Sequence, residues 1–97
     1  RGLLERYGLL LSKEIGKDQR YPRRAQTLGW QGTTEVLVRM SADAKVKEVT
    51  VAKSSGYELL DEEAVEKVRR AKQLPPPPDG FKGREFTVMV PIVFRLE

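Results

Sequence analysis

Apolar residues alternate with other residues along Glu85–Leu96 more regularly than in any other segment of the chain. Every second position is apolar: Phe86, Val88, Val90, Ile92, Phe94 and Leu96. Successive side chains of a strand point to opposite faces, so this pattern predicts a β-strand with one buried face. The rest of the chain must then supply partner strands and a layer of helices to cover that face.

Two further segments are predicted to be strands. Thr33–Met40 alternates in the same way, and Val46–Lys53 places Val49 and Val51 on one face. Only residues 41–45 separate the two segments, so they should form an antiparallel hairpin.

Three segments have the spacing of helices. Residues 2–15 carry apolar side chains at intervals of three and four, although three glycines weaken the pattern. Pro22–Leu28 suits a short helix, because proline is favoured at a first helical position. Leu60–Gln73 is the third, with acidic residues in its first turn and basic residues near its end, as the helix dipole favours. The acidic group, Asp61, Glu62 and Glu63, is better explained as this helix start than as an acid–base pair.

Four consecutive prolines, Pro75 to Pro78, separate the third helix from the last strand. Proline cannot continue a helix, and a run of prolines favours the stiff polyproline II conformation. We interpret the run as a spacer, the alternative being a ligand for a proline-recognising domain.

These elements predict an α+β fold: a three-stranded antiparallel sheet packed against helices. The last strand can pair with the first only if the third helix crosses back over the sheet. We expect residues 1–19 to form an N-terminal helix and connector, and residues 20–97 to form the main domain.

The composition excludes several kinds of site. Cysteine and histidine are absent, which removes thiol nucleophiles, the usual zinc ligands and a Ser-His-Asp triad. We therefore expect no enzyme activity, no metal and no cofactor. The net charge is +4, but basic and acidic residues are interspersed, and only Arg20, Arg23 and Arg24 form a basic spot. A solvated mixed-charge surface is the interpretation we prefer to a nucleic-acid-binding surface.

Membrane and processing signals are also absent from the sequence. The longest clearly apolar stretch, Val88–Phe94, is far shorter than the roughly 20 residues of a transmembrane helix. The sequence starts at Arg1 without an initiator methionine, so we interpret it as a part of a longer protein.

Several motifs occur in a fixed order and together resemble the TonB C-terminal family. They are Tyr21-Pro22-Arg23-Arg24-Ala25-Gln26, Gly32 before a hairpin, Ser54-Ser55-Gly56, Leu60-Asp61 with Ala64, a proline cluster, and Val90-Pro91-Ile92-Val93-Phe94-Arg95-Leu96. The resemblance extends from about residue 20 to residue 97, and the first helix is an extension of it.

The sequence departs from the family pattern in two places. The family hairpin usually turns at Asp-Gly, whereas this chain has Asp43-Ala44. A positive φ at this position costs free energy for alanine but not for glycine, which leaves the turn type open. Glutamines that touch the transporter peptide often precede the Tyr-Pro pair, whereas this chain has Asp18-Gln19-Arg20.

The resemblance implies a periplasmic domain of an inner-membrane energy transducer. An N-terminal transmembrane helix and a proline-rich spacer would precede it, and an ExbB/ExbD-type motor would act through that region. The partner would be a TonB-dependent outer-membrane transporter, bound through its short N-terminal TonB box and its plug, for uptake of siderophores, haem or vitamins. No nucleic acid is implied, and an open sheet edge would allow a strand-exchanged dimer.

The expected mode of binding is strand addition to the edge of the last strand. Pro91 supports an edge position, because proline has no N–H to donate to a neighbouring strand. For the same reason, the ladder between this strand and a bound peptide would have one hydrogen bond fewer. If even-numbered residues pair with the first strand, odd-numbered residues offer their backbone groups to the peptide. The predicted binding residues are Thr87, Met89, Pro91, Val93 and Arg95, with Asp18, Gln19, Arg20 and Arg24 beside them.

Other roles remain open for several of these residues. Pro91 is also explained as a device against aggregation at a sheet edge, and Arg24 as a solvated helix residue instead of a partner for an acidic group on the plug. Tyr21 and Trp30 are expected to pack in the core, the alternative being aromatic contacts with the partner. Two alternative functions are a TolA-like envelope domain, which usually carries disulfide cysteines that are absent here, and a small basic nucleic-acid-binding domain.

Overall fold

Three helices and three strands make up the protein in the order α1, α2, β1, β2, α3, β3. A computed structural model describes residues 2–97. The bounds are Leu3–Ile15 for α1, Arg23–Leu28 for α2, Gly32–Met40 for β1, Val46–Lys53 for β2, Glu58–Arg70 for α3 and Phe86–Phe94 for β3, with a 3-10 turn at Asp79–Phe81. The predicted α+β class with a three-stranded antiparallel sheet is confirmed.

The sheet has the strand order β2-β1-β3, so β1 is central and β3 is an edge strand. β3 pairs with β1 without interruption, from Gly32 opposite Phe94 to Met40 opposite Phe86. The pairing of β2 with β1 shifts register twice, and each shift leaves one residue of β2, Ala52 or Lys47, without an opposite residue. β3 is therefore the regular edge and β2 the bulged one.

The core lies on the face formed by the even-numbered residues of β1 and β3. These side chains are buried: Thr34, Val36, Val38, Met40, Phe86, Val88, Val90, Ile92 and Phe94. α3 covers the β1–β2 side through Leu60, Ala64 and Val68, and α1 packs against β3. Fully burying a large aliphatic side chain contributes about 1.5–3 kcal/mol, so both helices are strongly held by their apolar stripes.

α1 buries Tyr7, Leu11 and Ile15. The Tyr7 ring lies edge-on to the ring of Phe86, with their centroids 5.9 Å apart. The Tyr7 hydroxyl donates a hydrogen bond of 2.7 Å to the carbonyl oxygen of Pro75. The first helix is thus joined both to β3 and to the proline run.

Some element ends differ from those expected. α3 begins at Glu58 instead of Leu60 and ends at Arg70 instead of Gln73, because Ala71 adopts an extended conformation (φ −67°, ψ 123°) ahead of the proline run. β3 ends at Phe94 instead of Leu96, whose N–H donates to Oε1 of Gln31 at 2.6 Å. Pro22 has an extended ψ of 131° and precedes α2.

The β1–β2 turn has the strained residue expected from the sequence. Ala44 has φ +62°, and it is the only non-glycine residue with positive φ among residues 2–97. The Ser41 N–H donates to the Lys45 carbonyl at 2.8 Å, and the Ala44 N–H donates to the Ser41 carbonyl at 2.9 Å. This is a three-residue hairpin loop whose third residue would ordinarily be glycine.

Candidate partner-binding site

The outward side of β3 carries the odd-numbered residues singled out from the sequence. Met89 and Val93 are 41% and 53% exposed, while their even-numbered neighbours are buried. The carbonyl oxygen of Pro91 accepts a 2.5 Å hydrogen bond from the Ser12 hydroxyl on α1, and the carbonyl of Met89 lies against Gly8 of the same helix. Backbone groups of these two residues therefore point away from β1, as the parity argument expected.

The contact with α1 divides the edge into two parts. Thr87, Met89 and Pro91 line a groove together with Leu4 and Leu9 of α1. Val93 and Arg95 lie beyond this groove and line a second, more polar cleft of about 400 Å³. The edge of β3 thus has a part that α1 covers and an open part beside the polar cleft.

The open cleft is bounded by the segment that connects α1 to α2. It brings together four of the predicted binding residues, Asp18, Gln19, Val93 and Arg95. Residues two apart in a strand direct their backbone groups to the same side, so the N–H and C=O of Val93 point outward like the carbonyl of Pro91. The backbone hydrogen bonds outside helices and strands in residues 2–97 include none to Val93.

Asp18 is tied to α3 by two cations. Nε of Arg70 lies 3.0 Å from its Oδ2 carboxylate oxygen, and Nζ of Lys67 donates to its backbone carbonyl. Burial alone would raise the pKa of Asp18, but hydrogen bonding and charge from Arg70, with the charge of Lys67, hold that pKa below its ordinary value. The carboxylate is thus already engaged within the chain and fixes the connector at the cleft.

Lys67 lines the cleft and was not singled out from the sequence. Its side chain is only 5% exposed, and Nζ lies 5.1 Å from the centroid of the Phe94 ring. Burial lowers its pKa, and the neighbouring carboxylates oppose that shift only in part. Its burial could have been inferred from the sequence, because Lys67 lies next to Val68 and one turn beyond Ala64, in the apolar stripe of α3.

Two of the three predicted arginines, Arg20 and Arg24, lie outside both clefts, whereas Arg95 lines the open one. Arg20 is exposed and donates its backbone N–H to Oδ1 of Asp18 at 3.1 Å. Arg24 is exposed on α2, and it lines neither cleft. Their roles as binding residues stay predictions.

The aromatic residues before β1 are structural. The Tyr21 ring lies perpendicular to that of Phe94 at 5.5 Å, and its hydroxyl donates to the Trp30 carbonyl at 2.5 Å. Trp30 stacks on Tyr57 with centroids 4.7 Å apart. Both residues pack against the core, as expected from the sequence.

The Ser-Ser-Gly motif and Asp61 form one hydrogen-bonded cluster. The Asp61 carboxylate accepts hydrogen bonds from Thr34 Oγ1 at 2.7 Å, from the Ser55 N–H at 2.9 Å, from Ser55 Oγ at 2.8 Å and from Ser54 Oγ. The sequence interpretation of Asp61 as part of a helix start was incomplete: the residue joins β1 and the β2–α3 loop to α3.

Residues 2–97 also bear on metal binding and on membrane insertion. No cluster of three or more histidine, cysteine, aspartate or glutamate residues is arranged to bind a metal ion. None of the described helices combines the length and apolar character needed to cross a membrane.

Comparison with known proteins identifies relatives over almost the whole chain. Residues 17–96 match the family model described as Gram-negative bacterial TonB protein C-terminal. The chain is 33% identical over 90 residues to Protein TonB of Pasteurella multocida and 41% identical over 76 residues to Protein tonB2 of Pseudomonas aeruginosa. These alignments cover 93% and 78% of this chain, but only 34% and 28% of the relatives. The chain therefore spans about a third of the length of the curated relatives that it matches.

Solved structures agree with this relationship. A solution NMR structure of the TonB C-terminal domain of Helicobacter pylori aligns with a TM-score of 0.74 and 28% identity, over 91% of this chain and 78% of that one. The structure of the HasB C-terminal domain aligns with a TM-score of 0.56 and 32% identity, over 90% of this chain and 67% of that one.

Proposed function

Because this chain belongs to the family of C-terminal domains of Gram-negative TonB proteins, we propose that it captures the N-terminal box of an outer-membrane transporter as an added strand on β3. The observation that carries the proposal is the outward backbone of Val93 beside the cleft formed with Asp18 and Gln19. The proposed action is binding and transmission of force, without a chemical step at the domain.

The two edges of the sheet differ in a way that favours β3. An added strand needs a regular row of backbone donors and acceptors, and β3 keeps one register over its nine residues. β2 has two bulges, and its exposed side chains include Lys47 and Lys53. Bulges and lysines are devices that discourage pairing at an edge, so β2 is protected, and β3 is the receptive edge where α1 does not cover it.

The energetics favour a weak and reversible complex. Each added backbone hydrogen bond contributes about 0.5–1.5 kcal/mol net, whereas ordering a free peptide costs about 1–2 kcal/mol per residue. Pro91 lacks an N–H and leaves one position of the ladder empty. Side-chain contacts must therefore supply the surplus, and the exposed Arg95 and Gln19 lie at the open end to make them.

The remainder of the proposal concerns the longer protein. A single N-terminal helix would anchor it in the inner membrane, an ExbB/ExbD-type motor would supply energy from the proton gradient, and this domain would work in the periplasm. The cargo would be a siderophore, haem or a vitamin. A strand-exchanged dimer would use the same β3 edge, so it would compete with the transporter for it.

The test is an NMR titration of the isotope-labelled domain with a synthetic peptide of a transporter box from the same genome. We expect shift changes at Val93, Arg95, Asp18 and Gln19. A scrambled peptide of the same composition is the control. Changes concentrated on β2, or equal changes with the scrambled peptide, would contradict the proposal.

A further inference from the structure

α1 lies along β3 in the position that an added strand would occupy. Gly8 contacts the carbonyl of Met89, and Ser12 donates its hydroxyl to the carbonyl of Pro91. Four residues of helix advance about 6 Å, and two residues of strand advance about 6.6 Å, so the two contacts are in step. The helix and the strand therefore run side by side in the same direction.

The approach of α1 to β3 leaves no room for another chain. A methyl group at Gly8 would overlap the Met89 carbonyl oxygen and would lie 3.2 Å from Cγ2 of Val88. An added strand has to lie about 4.8 Å from β3, inside the roughly 10 Å diameter of the helix. Over Met89 and Pro91, α1 and a partner strand exclude one another.

The two ends of α1 are held differently. Beyond the C-terminal end, Asp18 is bound to Arg70 and Lys67 of α3, which fixes the connector. At the N-terminal end, Gly2 provides no side-chain cap, and Leu3 is 56% exposed. Release would therefore start at the N-terminal end, against the resistance of the buried Tyr7 and Leu11.

We propose that α1 is an intramolecular competitor for the β3 edge: a partner strand pairs first at Val93, and it extends to Met89 and Thr87 only when the Gly8–Ser12 side of α1 leaves β3. This inference rests on the proposed function, because it assigns a regulatory step to the same edge. In this proposal, the number of partner residues that pair with β3, and hence the affinity for the partner strand, depends on whether α1 is docked.

The experiment compares three variants of the full domain with the parent in titrations with the same transporter-box peptide. Ser12→Ala removes the hydrogen bond to Pro91 and leaves the helix intact. Gly8→Ala introduces the overlapping methyl group, and because alanine favours helix more than glycine does, any loss of docking cannot be attributed to a weakened helix. Lys13→Ala, at an exposed neighbouring position, is the matched control.

We expect Ser12→Ala to tighten peptide binding about two- to tenfold, the range that one hydrogen bond supplies, and to add Thr87 and Met89 to the residues that shift. Gly8→Ala should change binding in the same direction, and Lys13→Ala should match the parent. Ser12→Ala is the decisive variant if Gly8→Ala folds poorly. Equal affinity in the parent and Ser12→Ala would overturn the inference and leave the proposed function standing. If neither the parent nor any variant binds the peptide, both the inference and the proposed function are overturned.

Discussion

Asp61 determines how three segments of the chain meet. Its carboxylate accepts hydrogen bonds from Thr34 in β1 and from Ser54 and Ser55 in the loop before α3. Burial alone would raise its pKa, but these hydrogen bonds outweigh burial and hold the pKa below its ordinary value. The Ser-Ser-Gly motif thus has a role in folding, because it holds the loop before α3 against Asp61.

The lowered pKa of Asp61 gives stability a definite pH dependence. The stabilisation is complete above the ordinary aspartate pKa of about 3.9 and is lost as the pH falls through the lower folded-state value. We expect Asp61→Asn to reduce the free energy of unfolding by about 1–3 kcal/mol at pH 7 and to weaken its decline from about pH 5 to pH 3. Urea unfolding across this range measures both effects, and Glu62→Gln, exposed on the same helix, should stay within about 0.5 kcal/mol of the parent. An unchanged pH profile for Asp61→Asn would contradict this account.

Ala44 carries a backbone cost that one substitution removes. An L-residue in the left-handed region costs about 1–2 kcal/mol, whereas glycine adopts it freely but loses more entropy on folding. We expect Ala44→Gly to raise the free energy of unfolding by about 0.5–1 kcal/mol. Ala42→Gly, in the same loop at a negative φ, should be neutral or destabilising. Thermal unfolding measures both variants. If Ala44→Gly and Ala42→Gly change the free energy of unfolding by the same amount, the positive φ of Ala44 does not cost stability.

α1 shows what a repeating pattern can and cannot predict. Its apolar stripe predicted the helix and the burial of Tyr7, Leu11 and Ile15, but it also included Leu3 and Leu10, which are exposed. Gly8 is one of the glycines that weaken the helical pattern, and Ser12 is not part of the apolar stripe, yet both contact β3. Periodicity within one element identifies a buried face, but it does not identify which small residue meets a neighbouring backbone.

The proline run is fixed to α1 by one hydroxyl. The Tyr7 hydroxyl donates to the Pro75 carbonyl at 2.7 Å, so Tyr7→Phe should lower the free energy of unfolding by about 0.5–1.5 kcal/mol. Tyr57→Phe is the matched control, because the Tyr57 ring stacks on Trp30 but its hydroxyl makes no hydrogen bond within residues 2–97. If Tyr7→Phe and Tyr57→Phe lower the free energy of unfolding equally in urea, the hydrogen bond to Pro75 does not contribute to stability.

The strands were predicted more fully than the site. Alternation in three segments, with Pro91 in the last, indicated both the sheet and its edge. Pairing of the last strand with the first was expected on the condition that α3 crosses over the sheet, and the order β2-β1-β3 meets that condition. The site depends on contacts between distant residues, such as Lys67 with Asp18 and Ser12 with Pro91. Such contacts arise from the packing of whole elements, so the residue spacing alone could not supply them.

The molecule as a whole has one regular sheet edge, half covered by its own helix and half open beside a polar cleft. The other edge strand, β2, is bulged. The inner face of the sheet is buried beneath the helices. The central claim is that the backbone of Val93 at the open half binds the partner strand. Val93 is suited to a direct test, because its side chain is exposed and its outward N–H lies on an edge strand.

The most direct measurement is the affinity of a transporter-box peptide for Val93→Pro and for Val93→Thr, by calorimetry. Val93→Pro removes the outward N–H, and an edge strand tolerates proline. Val93→Thr keeps the N–H and the branched shape. We predict that Val93→Pro weakens binding about two- to tenfold and that Val93→Thr stays within about twofold of the parent. Equal affinity of the two variants would contradict strand addition at this edge.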